Sequence, residues 1–261
     1  MNIGKAIMKP LLTTLTLIIT LGFTAQTLAT KIDLNTYFQN DAAPRYMQAN
    51  DKAAGICIEI MAQLNIRLKS HNISIINPTN ERVPIKRILH SLQKTQKIDL
   101  FIGGAKTKSR IAAGVQFSTP LYPLSGTFAK RIQYPFIYTD ETSLMNMTVG
   151  VLRGSRSVQT MSNIAGVKLE STNTMLQSLG KLANGRVDLV YYHDMGLAWQ
   201  IKNSMLKEQL MLIDKHANIE SAPHYILFSS RTSPVIIDLI NNMIKAMHKD
   251  GSITEILNKY R

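Results

Sequence analysis

The sequence predicts an α/β fold in which short buried strands alternate with amphipathic helices. Apolar runs of strand length recur between segments whose apolar residues follow helical spacing, and no internal repeat or low-complexity tract interrupts the alternation. Residues 30–261, which follow a predicted leader, suffice for two lobes of ordinary size or for one large domain. Cys57 is the only cysteine and lies in an apolar setting, so we expect a buried thiol and no internal disulfide.

Residues 1–29 have the features of a secretory signal peptide. Lys5 and Lys9 precede the apolar stretch 11–23, and Ala29 ends a cleavage motif with small residues at both ends. The stretch is shorter than the ~20 apolar residues of a membrane-spanning helix, which disfavours the alternative of a retained anchor. No cysteine at the cleavage point could carry a lipid. We therefore expect a soluble monomer released into the periplasm.

The predicted elements follow in order along the chain. In the first half we expect strands over 32–37, 73–76 and 98–102, and helices over 55–68 and 84–93. In the second half we expect strands over 147–152, 168–171, 187–192 and 225–229, and helices that begin near 155, 173, 198, 234 and 252. Asn173 is expected to cap its helix, with Leu176, Leu179 and Leu182 on the buried face.

The charge and the side-chain chemistry exclude several function classes. The formal net charge is +13, but the lysines and arginines are scattered without a block of like charges, so we expect a solvated basic surface and no nucleic-acid partner. The six histidines lack the spacing of a metal site, and no phosphate-binding glycine loop with a following Lys-Ser or Lys-Thr occurs. We therefore expect no cofactor.

The stretch 98–122 carries the clearest functional signal. A buried strand ends at Gly103 and Gly104, which allow the backbone to approach a ligand closely, and Thr107 can cap the turn that presents Arg110. An arginine held in this way offers a planar pair of donors to a carboxylate. The stretch therefore predicts one wall of a ligand cleft.

Seven motifs in order resemble the bacterial extracellular solute-binding proteins of family 3, the amino-acid-type binding proteins of ABC transporters. The motifs are Gly55–Ile60, Val83–Leu89, Ile98–Gly104 with Thr107–Arg110, Phe117–Tyr122, Val149–Ser155, Gly185–Val190 and Asp250–Ile253. The resemblance implies a type II periplasmic binding protein: two mixed-sheet α/β lobes joined by two crossing strands, with the ligand between them. We expect one lobe to comprise residues 30–127 and 226–261, and the other residues 128–225.

The same resemblance assigns the carboxylate half of the site. It implies that Arg110 grips a ligand carboxylate and that Thr107 opens the turn of the same motif. Gly103 and Ala105 fall where family members often have hydroxyl side chains, so any contact there would come from the backbone. Ser155 falls where a hydroxyl meets the same carboxylate.

The other half of the implied site departs from the family pattern. Family members often have an aromatic ring near Pro44, where this chain has Arg45, with Tyr46 the nearest ring. The acid that usually receives the ligand ammonium falls on His193 or Asp194. Because arginines accumulate at these positions, our hypothesis is a ligand more acidic than a neutral amino acid; the alternative is that two of them point to solvent. The arginines concerned, besides Arg110, are Arg45, Arg153 and Arg156.

The resemblance implies a non-enzymatic function. We expect a periplasmic binding protein that captures a small carboxylate-bearing ligand and delivers it to an inner-membrane ABC permease. The alternatives are a periplasmic ligand sensor, or a lyase or dehydratase on the same fold. Catalysis would need an acid or base in the cleft, for which His193, Asp194 and Glu59 are candidates by residue type.

Overall fold

Strands and helices alternate along the described chain, as the sequence predicts. The computed structural model describes Met1 and residues 30–40, 42–213 and 220–260, so the predicted signal peptide lies outside the described residues apart from Met1 and is not tested. The α-helices are α1 Ile56–Leu68, α2 Ile85–Gln93, α3 Lys108–Ala112, α4 Arg156–Ser162, α5 Met175–Ala183, α6 Asp194–Lys202, α7 Pro234–Lys249 and α8 Ser252–Asn258. None of the helices in these ranges is long and apolar enough to cross a membrane.

Within the described residues the strands form one large mixed sheet and three two-stranded pairs. In chain order they are β1 Ile32–Asn35, β2 Phe38–Gln39, β3 Met47–Ala49, β4 Lys52–Ala54, β5 Ile73–Ile76, β6 Arg82–Val83, β7 Leu100–Ala105, β8 Gln116–Phe117, β9 Tyr122–Arg131, β10 Thr148–Leu152, β11 Lys168–Thr172, β12 Leu189–His193, β13 Leu210–Leu212 and β14 Glu220–Phe228. The large sheet has the order β11-β10-β12-β9-β14-β7, with β13 on β9 and β8 on β14. The pairs are β1 with β5, β2 with β6 and β3 with β4.

The two longest strands, β9 and β14, connect the parts of the large sheet. The first half of β9 pairs antiparallel with β14, from Tyr122 opposite His224 to Gly126 opposite Glu220. Its second half pairs with β12, where Gly126 is opposite His193. The far half of β14 pairs with β7. Gly126 is therefore the residue of β9 at which the strand pairing changes from β14 to β12.

The buried apolar side chains of the described part of the chain fall into three clusters. The largest joins residues between 34 and 124 to residues between 226 and 257, including the buried face of α7. The other two draw their members from residues 128–213. Because apolar area removed from water stabilises a fold by about 25 cal/mol per Å², these clusters supply most of the driving force in a chain whose only cysteine is free and buried. The prediction of a buried, unpaired Cys57 is confirmed.

Several predicted element boundaries are wrong by a few residues. The strand predicted over 98–102 is Leu100–Ala105, the helix predicted from 198 begins at Asp194, and the strand predicted over 225–229 is Glu220–Phe228. The end of β7 and the start of β14 consist mainly of small or polar residues held by pairing with neighbouring strands, and α6 begins at a cap formed by His193; apolar spacing reveals neither feature. The last case matters most, because the missed part of β14 reaches the candidate site.

The cap of α5 was also assigned to the wrong residue. Thr174, not Asn173, is the N-cap: its Oγ1 accepts a hydrogen bond from the Gln177 N–H at 3.1 Å, and Gln177 Oε1 accepts from the Thr174 N–H at 3.3 Å. In this helix Met175 is buried and Leu176 is 55% exposed. The predicted buried position of Leu176 is therefore wrong.

Removal of this cap should destabilise the protein measurably. We expect Thr174→Ala to lower the free energy of unfolding by about 1 kcal/mol, because an N–H at the start of α5 loses its acceptor. Asn173→Ala, one residue away on an exposed position, should change it by less than about 0.5 kcal/mol. Urea denaturation of both variants checks this; equal losses would contradict the assignment of the cap.

Candidate functional site

A cavity opens beside the junction of β9, β12 and β14. Its empty volume is about 640 Å³, a figure that includes open solvent at the mouth. Side chains or backbone from β7, β9, β12, β14, α2, α3 and α4 line it. The lining residues are Gln39, Arg45, Ile85, Gly103, Gly104, Ala105, Arg110, Leu124, Gly126, Ser155, Arg156, Ser157, Thr160, Tyr191, Tyr192, His193, Ala222 and His224.

Arg45 places a fixed positive charge in the wall of this cavity. Only 4% of the residue is exposed. Its Nη1 donates to the Gly103 carbonyl at 2.7 Å, and its Nη2 donates to the Tyr192 hydroxyl at 3.0 Å and to Gln39 Oε1 at 3.3 Å. Its Nε is buried without a hydrogen-bond partner. The guanidinium is thus held by neutral acceptors.

Gly103 makes room for this arrangement. Its φ is +84°, and a Cβ built on it would lie 2.5 Å from the Cys57 sulfur and 3.3 Å from the Tyr122 hydroxyl. A larger residue would therefore be strained in its backbone and would collide with the thiol. The sequence predicts that Gly103 lets the backbone approach a ligand closely. In the structure Gly103 makes room for the buried Cys57 and Tyr122 side chains, and its carbonyl accepts from Arg45.

Arg110 provides the second buried guanidinium. Thr107 caps α3, since its Oγ1 accepts from the Arg110 N–H at 3.3 Å, and this fixes the backbone that carries the arginine. Nη1 of Arg110 donates to the Ala105 carbonyl at 2.5 Å. Burial, followed by the positive charges of Arg45 and Arg156, lowers the pKa of Arg110 to about 10, which leaves it charged at neutral pH. The predicted cap on Thr107 is confirmed.

Two histidines line the cavity without balancing this charge. His193 ends β12, and its Nδ1 accepts a hydrogen bond from the Gly196 N–H at 2.9 Å, which caps α6. His224 lies on β14, stacks on Tyr122 with ring centroids 5.9 Å apart, and is 6.1 Å from the His193 ring. Burial and then Arg45 lower the pKa of each histidine well below its usual value. Both rings are therefore neutral at pH 7.

The cavity is strongly electropositive. Arg45, Arg110 and Arg156 line it, and none of the described lining residues is an aspartate or a glutamate. No ion pair among the described residues involves Arg45 or Arg110. No group of three or more His, Cys, Asp or Glu within the described ranges is arranged to hold a metal. The arrangement is suited to a small anion.

The family model for bacterial extracellular solute-binding proteins, family 3, matches residues 34–261. The chain belongs to this family. No curated protein sequence matches it. The resemblance stated from the seven motifs is confirmed.

Solved structures of similar fold belong to the same class of binding protein. An ancestral arginine-binding protein bound to arginine has a TM-score of 0.75 at 22% identity, and the match covers 87% of this chain and 97% of that one. The substrate-binding protein AbpA of an amino acid ABC transporter from Streptococcus pneumoniae, bound to L-arginine, has a TM-score of 0.73 at 19% identity over 87% and 94% of the two chains. An ancestral amino-acid-binding protein described as a precursor of cyclohexadienyl dehydratase has a TM-score of 0.71 at 21% identity, and the match covers 87% of this chain and 95% of that one. The fold is the two-lobed, type II α/β fold that the sequence predicts.

Seven of the residues predicted for the site of this solute-binding protein line the cavity. They come from five separate segments of the chain, and the structure brings them together around one space. The seven are Arg45, Gly103, Ala105, Arg110, Ser155, Arg156 and His193. Ser155 donates its hydroxyl to the Leu152 carbonyl at 2.7 Å, so that hydroxyl is already used within the protein.

The other predicted site residues lie outside the cavity lining. Thr107 acts on the backbone of α3, and Tyr46 is buried in the largest core cluster, where its hydroxyl donates to the Ile102 carbonyl at 2.7 Å. Asp194 Oδ1 accepts from the Met195 N–H at 2.8 Å and from the Ser125 N–H at 3.4 Å. Arg153 is exposed and lines a separate surface depression. None of these is among the lining residues.

Sequence reasoning missed six polar residues of the cavity, namely Gln39, Ser157, Thr160, Tyr191, Tyr192 and His224. Ala222 and His224 both line the cavity from β14, in agreement with the alternation of side chains along a strand. A strand predicted to begin at 225 could not place them there. Tyr192 was assigned to a buried strand, and only the structure shows that its hydroxyl meets Arg45.

The buried neutral histidines should make stability depend on pH. Unfolded histidines bind protons below about pH 6.5, whereas His193 and His224 in the folded protein, near Arg45, Arg110 and Arg156, stay neutral. The unfolded state then binds more protons, so the free energy of unfolding should fall as pH decreases from 6.5 to 5, by up to about 1.4 kcal/mol per pH unit for each histidine.

Urea denaturation at pH 7, 6 and 5 measures this slope. His224→Gln should reduce it, whereas His90→Gln, on an exposed position of α2, should leave it unchanged. The pKa of Asp250, which hydrogen bonds from Ser252 lower to about 2, affects stability only at more acidic pH. Equal slopes in all three proteins would contradict a neutral, buried His224.

Proposed function

We propose that this solute-binding protein captures a small carboxylate-bearing anion in the cavity and delivers it to an inner-membrane ABC permease. The observation that carries the proposal is the presence of two buried guanidinium groups, Arg45 and Arg110, in one cavity wall without a carboxylate partner among the described residues. Membership in an extracellular family of ABC-transporter binding proteins supports the transport role and a periplasmic location after cleavage of residues 1–29.

Burial of the Arg45 and Arg110 guanidinium charges has a cost in free energy. A charge taken out of water is tolerated when an opposite charge and hydrogen bonds compensate for it. Backbone carbonyls supply hydrogen bonds to Arg45 and Arg110 but no net negative charge. A bound carboxylate would supply that charge, and its hydrogen bonds with a guanidinium are about twice as strong as those between neutral groups. The binding free energy of an anion therefore includes the relief of this cost.

The proposed lobes are residues 30–127 with 226–261, and residues 128–225. The division of the buried side chains into one cluster from the first set and two from the second supports it. The strands β9 and β14 connect the two sets and would act as the hinge. The hydrogen bond from Arg45 to the Tyr192 hydroxyl joins one proposed lobe to the other at the cavity. A ligand between them would be enclosed from both sides.

The basic amino acids bound by similar proteins are poor candidates for this chain. Two proteins of the same fold are described as bound to arginine. Here three arginines line the cavity and no acidic residue does so among the described residues. A cationic ligand would add a further positive charge, and like charges in a partly desolvated site repel strongly. We therefore infer that the ligand is neutral or, preferably, acidic.

A second function, catalysis on the same fold, has one supporting observation. A protein of similar fold is described as an amino-acid-binding precursor of a dehydratase. In this chain, however, the Asp194 carboxylate accepts two backbone hydrogen bonds outside the cavity lining, and both lining histidines lie in an electropositive wall that disfavours their protonated form. Binding without turnover is the function that these groups support best, whether the closed state is read by a permease or by a sensor.

Substitution of Arg110 tests the proposed function. Native mass spectrometry of the protein purified without denaturation identifies a retained ligand, and calorimetric titration with that ligand and with small carboxylates gives its affinity. We expect Arg110→Ala to weaken binding at least 100-fold, since a bidentate charged contact is lost. Arg153→Ala, which removes an exposed arginine outside the cavity, should change affinity less than 3-fold. An unaffected Arg110→Ala protein would mean that the ligand binds elsewhere.

A further inference from the structure

Besides Arg110, the cavity wall contains a second group of buried polar atoms that lack acceptors. Nε2 of His193 and Nε of Arg45 are both buried without a hydrogen-bond partner. The two residues are linked through Tyr192, whose hydroxyl accepts from Arg45 at 3.0 Å and whose ring centroid is 4.0 Å from that of His193. Buried donors without acceptors are rare in folded proteins, so this group calls for a ligand.

The hydrogen bond on the other ring nitrogen fixes the chemistry of His193. Because Nδ1 accepts from the Gly196 N–H, the neutral ring must carry its proton on Nε2. Nε2 is therefore a donor. A protonated ring would place a hydrogen on Nδ1 and break the cap of α6. His193 thus offers one N–H donor to the cavity.

The charge of Arg45 determines which kind of acceptor the Nε2–H group of His193 favours. Its guanidinium is satisfied at Nη1 and Nη2 by neutral oxygens, so its positive charge persists in the wall next to His193. An anionic oxygen would both accept from Nε2–H of His193 and compensate the charge of Arg45. An ammonium group would face a donor and a cation instead.

We propose that His193 and Arg45 form a second anion subsite, and that the ligand is a dianion with one carboxylate at Arg110 and a second anionic group at this subsite. This inference rests on the proposed function, because it assumes that a carboxylate at Arg110 anchors the ligand in the same cavity. A dicarboxylate and a phosphorylated carboxylate share the required chemistry. His193 is then a residue that determines specificity.

Calorimetric titration with matched ligands tests the charge of the second group. The probes are malonate, succinate and glutarate, the monoamide of each, 2-phosphoglycolate, and the amino acids glutamate and glutamine. We expect at least one dianion to bind, and its monoamide to bind at least 10-fold more weakly, because the amide is neutral where the subsite is cationic. Preference for 2-phosphoglycolate over all dicarboxylates would identify a phosphorylated ligand.

Two substitutions of His193 separate its donor from its structural role. His193→Asn retains an acceptor near the position of Nδ1, where asparagine is a favourable N-cap, but removes the donor. His193→Gln can place an N–H near the position of Nε2 but loses the cap. We expect His193→Asn to weaken binding of the dianion roughly 10- to 100-fold, the loss typical of a hydrogen bond to a charged group, with little change in thermal stability. His193→Gln should recover part of the affinity and lower the thermal stability.

The outcomes distinguish this inference from the proposed function. It is overturned if no dianion in the panel binds, if a monoamide binds as tightly as its dicarboxylate or glutamine as tightly as glutamate, or if His193→Asn leaves dianion affinity unchanged. If Arg110→Ala abolishes carboxylate binding while His193→Asn has no effect, only the second subsite is wrong. If Arg110→Ala has no effect, the proposed function itself fails. His90→Asn, an exposed substitution in α2, controls for nonspecific effects.

Discussion

The burial of arginine side chains on backbone carbonyls is the interaction on which the rest of the cavity depends. Gly103 and Ala105, two residues apart near the end of β7, accept from Arg45 and Arg110 respectively. Carbonyl dipoles fix the position of a guanidinium without cancelling its charge. The end of β7 therefore fixes the guanidinium groups of Arg45 and Arg110, and the rest of the cavity packs around these two charges.

The core residues next to β7 also contribute to the position of Arg45. Gly103 adopts a positive φ and leaves space for the Cys57 thiol, while Tyr122 stacks on His224 and also approaches that thiol, at 3.5 Å. Burial raises the pKa of Cys57, so the thiol stays neutral and adds no counter-charge. The packing that supports Arg45 is thus made of uncharged groups, which leaves the compensation of its charge to the cavity side.

The parts of the site that sequence could predict are those held by local contacts. Thr107 and Arg110 are three residues apart, and the cap that joins them is a property of that short segment. Arg45 and Tyr192, in contrast, are 147 residues apart and meet only when β12 takes its place beside β9. No spacing rule anticipates that contact. His224 was missed for a different reason: the first residues of β14 include Ala222 and Pro223 and give no apolar run.

The hydrogen bonds of Arg45 also restrict how this binding protein could acquire a different specificity. A change toward cationic ligands would require loss of that charge, yet replacement of Arg45 by a shorter side chain would leave the Gly103 carbonyl, Gln39 and the Tyr192 hydroxyl without their donor. Each unpaired group adds its own penalty, so a single substitution would cost folding stability before any new ligand could bind. Loss of Arg45 would therefore call for compensating changes at Gln39 and Tyr192, which are far apart in the chain, so these hydrogen bonds favour retention of the positive charge.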